Sequence, residues 1–157
     1  MSSRALANSG LPPERLELEI TETILLHNSE VTLAMLYQLR ALGVRTAMDD
    51  FGTGYSSLSY LQRFPFDKIK IDRSFVKDIA QNVGSINIVR AVAALAKGLG
   101  IQATAEGVET EQQLRAIKAE GCTEMRGFLF SGPLPAGEIE AVFLARRRVF
   151  DDRARVA

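Results

Sequence analysis

Hydrophobic and polar positions along this chain change period again and again. Met1 to Ser9 reads as the tail of a helix, with Gly10 as a stop and Pro12 and Pro13 forbidding continuation. Leu16 to Ile20 (LELEI) alternates strictly. Leu16, Leu18 and Ile20 share one face and Glu17 and Glu19 the other, which is a strand pattern. From about Glu30 to Leu42, the positions Val31, Ala34, Met35, Leu39 and Leu42 recur at three- and four-residue spacing, the stripe of a helix laid on a sheet. Val44 to Asp49 is again strand-like. A short helix follows around Ser57 to Gln62, with Ser56 and Ser57 as caps and Pro65 as its stop.

The same rhythm continues. Asp67 to Asp72 (DKIKID) predicts a third strand, with Lys68, Lys70 and Asp72 on one face and Ile69 and Ile71 on the other. A short helix near Ser74 to Gln81 precedes a longer one over Ser85 to Lys97, whose apolar side is Ile88, Val89, Val92, Leu95 and Ala96. Ile101 to Glu106 (IQATAE) is a fourth strand. Thr110 and Gln113 stand at capping-box spacing and open a helix to about Ala119. Met125 to Phe130 predicts a fifth strand and Glu138 to Phe150 a last helix. Residues 151–157 are expected to be a frayed tail behind a single domain over 1–150. Five strands alternating with helices imply an α/β fold with parallel strands and right-handed crossovers.

Composition narrows the chemistry. The formal net charge is zero, which leaves no basic footprint for a nucleic acid polymer. No apolar run is long enough for a membrane span or a signal peptide. Cys122 is the only cysteine and His27 the only histidine, which rules out an internal disulfide and a thiolate cluster and suits a cytoplasmic setting. Hydrolysis by such a chain would depend on carboxylates and metal.

Carboxylates end four of the strands: Glu19, Asp49 with Asp50, Asp72, and Glu106. On parallel strands they would share one rim, where acids repel one another unless cations such as Mg²⁺ or Mn²⁺ are present. Two metals bridged by Asp residues would suit phosphodiester cleavage. Local readings stay open. Side chains of adjacent strand residues point to opposite faces, so one of Asp49 and Asp50 could face a site while the other caps the loop. The Lys and acid of DKIKID are either part of a site or a surface ion pair. LELEI is either an acidic inner face or an exposed edge strand.

Five motifs in order carry a resemblance: LELEITE at 16–22, DDFGTGYSSL at 49–58, KIKID at 68–72, AEGVET at 105–110, and GC…RGFLF at 121–130. Together they resemble the EAL domains, phosphodiesterases that hydrolyse cyclic di-GMP to linear pGpG on a TIM-like (β/α)₈ barrel. The resemblance implies Glu19, Asp49 and Asp50 as metal ligands for Mg²⁺ or Mn²⁺. It implies Lys70 as the group orienting water or phosphate, and Glu106 as general base or ligand of a metal-bound water. Glu22 is implied as a brace of the DDFGTG loop, with Asp72 and Glu109 as supporting positions.

Three departures matter. The namesake Glu-Ala-Leu stretch and the asparagine ligand that follows it are absent, and Arg126 stands where the family has glutamine. The chain therefore reads as the C-terminal five strands of an EAL barrel, a truncated piece that is inactive alone. Its expected partners are cyclic di-GMP, the missing N-terminal half, a second copy, or sensory and GGDEF-type domains. The alternative is a degenerate EAL module that senses cyclic di-GMP or docks onto another protein.

Overall fold

In the computed structural model, which describes residues 3–21, 24–25, 29–52 and 58–140, the strands form one parallel sheet. Its elements are α1 (Ser3–Ser9), a 3₁₀ turn (Pro13–Arg15), β1 (Glu17–Thr21), α2 (Ser29–Ala41), β2 (Arg45–Phe51), α3 (Leu58–Arg63) and β3 (Lys68–Ile71). They continue with α4 (Arg73–Lys77), α5 (Val83–Leu99), β4 (Gln102–Ala105), α6 (Glu111–Ala119) and β5 (Glu124–Met125). The strand order is β1-β2-β3-β4-β5 and every pair is parallel, as alternating β and α units require. Residues 136–140 are helical, as the start of the last predicted helix; its remainder and the expected tail lie outside the described residues.

Alternation gives the sheet two different faces. Met48, Ile69, Ile71, Ala103 and Ala105 join the buried hydrophobic cluster with Val76, Val89, Val92, Ala96 and Ile117 from the covering helices. Ile69 and Ile71 are fully buried, each worth roughly 1.5–3 kcal/mol of transfer free energy. The opposite face carries Glu17, Glu19, Ala47, Asp49, Lys68, Lys70, Thr104 and Glu124. There the lysines rather than the aliphatic residues are closed in by their neighbours. LELEI is thus an edge strand whose acids are engaged rather than solvated.

Four expectations need correction. The buried stripe of α2 is Leu36 and Leu39, with Leu33 partly covered, while Val31, Met35 and Leu42 are exposed. Apolar residues occur nearly all round this helix, so periodicity selected a stripe of which only Leu39 reaches the core. In α5, Ile88 is exposed and Ala93 takes an inward position beside Val89, Val92 and Ala96. The fifth strand is only Glu124–Met125. Beyond it the chain wraps round Val108: Val108 N donates to Arg126 O at 3.0 Å, and Leu129 N donates to Val108 O at 3.0 Å. Gly127 permits that approach, because a Cβ there would lie 2.1 Å from Val108 O. The short helix expected over Ser74 to Gln81 ends at Lys77.

Candidate active site

The register of β2 against β3 builds the site. Met48 pairs with Ile69 and Phe51 with Ile71, so Asp49 and Asp50 together oppose the single residue Lys70. This is a β-bulge. Asp50 takes the extra place with φ 55°, a left-handed conformation that Asp tolerates better than most residues. The bulge leaves Asp49 on the polar face with Lys70 and turns Phe51 back into the core, where it is 5% exposed. Strict alternation without the bulge would have turned Asp50 toward the core and put Phe51 among the charges. Asp50 N also donates to Asp49 Oδ1 at 3.0 Å, fixing that carboxylate.

Lys70 is the hub. Its Nζ lies 2.7 Å from Glu19 Oε2, 2.9 Å from Asp49 Oδ1 and 2.9 Å from Glu106 Oε1, joining acids from β1, β2 and the end of β4. Lys70 is 3% exposed. Burial alone would lower its pKa, but the hydrogen bonds to Glu19, Glu106 and Asp49 outweigh it and hold the pKa above the ordinary 10.5. One level down, Lys68 Nζ meets Glu17 Oε2 at 2.8 Å and Glu124 Oε2 at 2.7 Å, and Thr104 Oγ1 donates to Glu124 Oε2 at 3.0 Å. The Lys68 ammonium, opposing desolvation, holds the Glu124 carboxyl below its usual range. Arg126 joins the two levels. Its guanidinium lies 3.3 Å from Glu17 Oε1 and 3.4 Å from Glu19 Oε1.

The structure therefore brings together Glu19, Asp49, Lys70, Glu106 and Arg126. Asp50 is adjacent and exposed. Asp72 is directed elsewhere: its Oδ1 accepts from Ser74 N at 2.9 Å and caps α4. Glu109 is exposed and takes part through its backbone N–H, which donates to Gln113 Oε1 at 2.8 Å. Glu22 lies outside the described residues, as does His27. Sequence reasoning passed over Glu17, Lys68, Glu124 and Thr104 as site members. Two-residue spacing could have found them, since Glu17 precedes Glu19, Lys68 precedes Lys70 and Glu124 precedes Arg126 in the same manner.

Carboxylate oxygens are suitable donors for a hard divalent cation. Here, however, the three that converge do so on the Lys70 ammonium. Among the described residues no group of three or more His, Cys, Asp or Glu side chains is disposed to hold a metal ion. The described residues do not by themselves fit a metal centre.

Comparison with known proteins defines the class. The EAL domain model matches residues 2–133, and the chain belongs to the EAL domain family. The cyclic di-GMP phosphodiesterase NbdA of Pseudomonas aeruginosa is 46% identical over 143 residues, which is 91% of this chain and 18% of NbdA. The structure of the PaMucR phosphodiesterase in complex with c-di-GMP superposes with a TM-score of 0.82 at 43% identity, covering 87% of this chain and 55% of that one. A manganese and c-di-GMP complex of Klebsiella pneumoniae BlrP1 has a TM-score of 0.78 at 40% identity, covering 83% of this chain and 33% of that one. The chain thus spans about a fifth of the length of the curated relatives it matches first. Its five parallel strands and their helices are consecutive β/α units of an EAL-type TIM barrel. Among the described residues no helix is long and apolar enough to cross a membrane.

Proposed function

We propose that this chain carries the carboxylate and lysine part of a c-di-GMP phosphodiesterase site, built for metal-dependent hydrolysis to linear pGpG. The observation that carries the reading is the convergence of Glu19, Asp49 and Glu106 on one buried ammonium, Lys70, at the C-terminal rim of parallel strands. In that reading Glu19, Asp49 and Asp50 supply carboxylate oxygens to the cation side of the site. Lys70 places a fixed positive charge beside the phosphodiester or the attacking water. Glu106 stands within reach of the same point and accepts a proton from water. Glu22 braces the loop after β2, while Asp72, as the cap of α4, and Glu109, through its backbone, support the rim only indirectly.

Metal-dependent cleavage demands more oxygen ligands than the described residues direct at any one point. The chain on its own accordingly binds c-di-GMP without turning it over, whether Mg²⁺ or Mn²⁺ is supplied. The second reading, a module that senses c-di-GMP without cutting it, is favoured by Arg126. Its half-exposed guanidinium fork on the rim suits a phosphodiester.

Titration of c-di-GMP into the chain, with chromatography for pGpG, tests both. Saturable binding without pGpG is the expected outcome. If affinity is unchanged when divalent metal is removed, the sensor reading gains. Turnover that disappears in Asp49→Asn would keep the phosphodiesterase reading and overturn the inactivity. Absence of binding would overturn both.

A further inference from the structure

The two acids of β1 have all four of their oxygens engaged by protein cations. Glu17 presents Oε2 to Lys68 at 2.8 Å and Oε1 to Arg126 at 3.3 Å. Glu19 presents Oε2 to Lys70 at 2.7 Å and Oε1 to Arg126 at 3.4 Å. The inner oxygens are held by lysines whose side chains are 4% exposed, and the outer ones by a guanidinium that is 50% exposed. Among the described residues these ion pairs connect five carboxylates (Glu17, Glu19, Asp49, Glu106 and Glu124) and three cations (Lys68, Lys70 and Arg126). Their balance is −2. If Arg126 were removed, the balance would be −3 and two acids on one strand face would each expose an uncompensated oxygen.

We propose that Arg126 is a built-in competitor for divalent metal, occupying the outer oxygens of Glu17 and Glu19 and stabilising the acidic face when no metal is bound. Oε2 of Glu19 faces the buried Lys70, so a divalent ion approaching from the rim meets Oε1 first and competes there with the guanidinium for it. Once displaced, the guanidinium is a free fork at the rim. The unpartnered Glu17 oxygen then becomes a cost that the incoming ion has to offset. Arg126 thereby adds, at Glu19, to the mismatch with a metal centre that the convergence of Glu19, Asp49 and Glu106 on Lys70 already creates. The inference deepens the proposed site but needs neither c-di-GMP nor turnover.

The test is Mn²⁺ alone, titrated calorimetrically into the full chain and into Arg126→Gln, with metal-free melting of both in chelator. Arg126 is half exposed, so solvent screening limits the effect. The expected change is about three- to tenfold tighter Mn²⁺ binding in Arg126→Gln, together with a lower metal-free Tm. Arg126→Lys keeps the charge but loses the fork that spans both acids, and should fall between the two. It also serves if Arg126→Gln folds poorly. Equal or weaker Mn²⁺ affinity in either variant, no Mn²⁺ uptake by any of the three proteins, or an unchanged metal-free Tm in Arg126→Gln would overturn the proposal. None of these readouts depends on hydrolysis, so the phosphodiesterase reading can fail while this one stands.

Discussion

Asp49 reaches the Lys70 ammonium at 2.9 Å, and it does so across a level of the sheet where β2 has one residue more than β3. The contact and the bulge depend on each other. The extra residue, Asp50, leaves Asp49 on the polar face with Lys70 while returning Phe51 to the hydrophobic side. A strand that must end in a carboxylate and also close a core uses the bulge to satisfy both demands.

Replacing Lys70 by Met should therefore be severe. Three carboxylates would face one another on a closed-in surface without their shared cation, a loss of about 3–5 kcal/mol by analogy with broken buried pairs. Urea unfolding followed by circular dichroism measures it. The pH dependence has a definite sign. Because the folded pKa of Lys70 lies above the ordinary 10.5, its contribution is fully present below pH 10.5 and is lost as pH rises beyond it. The wild-type melting temperature should decline in that alkaline range, and the Lys70→Met curve should be flatter there. Similar slopes would mean that other groups carry the alkaline transition.

Much of this fold was legible in the sequence, because hydrophobic period, glycine stops and the Thr110–Gln113 capping box all act locally. That box forms in full, with Thr110 Oγ1 accepting from Gln113 N and Gln113 Oε1 accepting from Thr110 N. The Lys70 hub was partly legible through two-residue spacing in LELEI and KIKID. What was not legible depended on contacts between distant segments. The bulge at Asp49 and Asp50 breaks the alternation on which a sequence reading rests. The last strand stops at Met125 because the backbone of Val108 takes the hydrogen bonds that a longer strand would have used. The buried face of α2 was misread because both of its faces are apolar.

Asp72 is expected to behave as a helix cap rather than as a site residue. Burial pushes its pKa up, but hydrogen bonds from Ser74 and Arg73 prevail and hold it below 3.8. Its contribution is present above pH 3.8 and is lost as pH falls through the lower folded value. Asp72→Ala should cost about 0.5–2 kcal/mol, and Asp72→Asn much less because asparagine also caps. Neither should change c-di-GMP affinity more than about twofold, which is within the scatter of a substitution that touches no ligand. A large loss of affinity in Asp72→Asn would return this residue to the site.

Gly127 offers a sharper test of the turn that carries Arg126. Alanine there would bring a Cβ within 2.1 Å of Val108 O and 2.3 Å of Val108 N, contacts that only backbone movement can relieve. Gly127→Ala should lose more than about 2 kcal/mol in denaturant unfolding. Gly98, near the end of α5, has nothing within 4 Å of its would-be Cβ. Gly98→Ala should be neutral or stabilising by up to about 1 kcal/mol. Equal effects of the two substitutions would contradict the packing described for β5 and the Val108 loop.

The central claim is that the acids around Lys70 form part of a c-di-GMP phosphodiesterase site. It is tested most directly by calorimetric titration of c-di-GMP into the full chain and into Glu106→Gln, with circular dichroism confirming that both are folded. Glu106 joins the hub without lying in the core, so its isosteric amide should leave the fold intact. The account predicts saturable one-to-one binding to the wild-type chain and a change of at least about threefold in affinity for Glu106→Gln, since altering a charge beside the ligand shifts binding by roughly a kcal/mol or more. A wild-type chain that binds no c-di-GMP, or a Glu106→Gln chain that binds it indistinguishably, would contradict the claim.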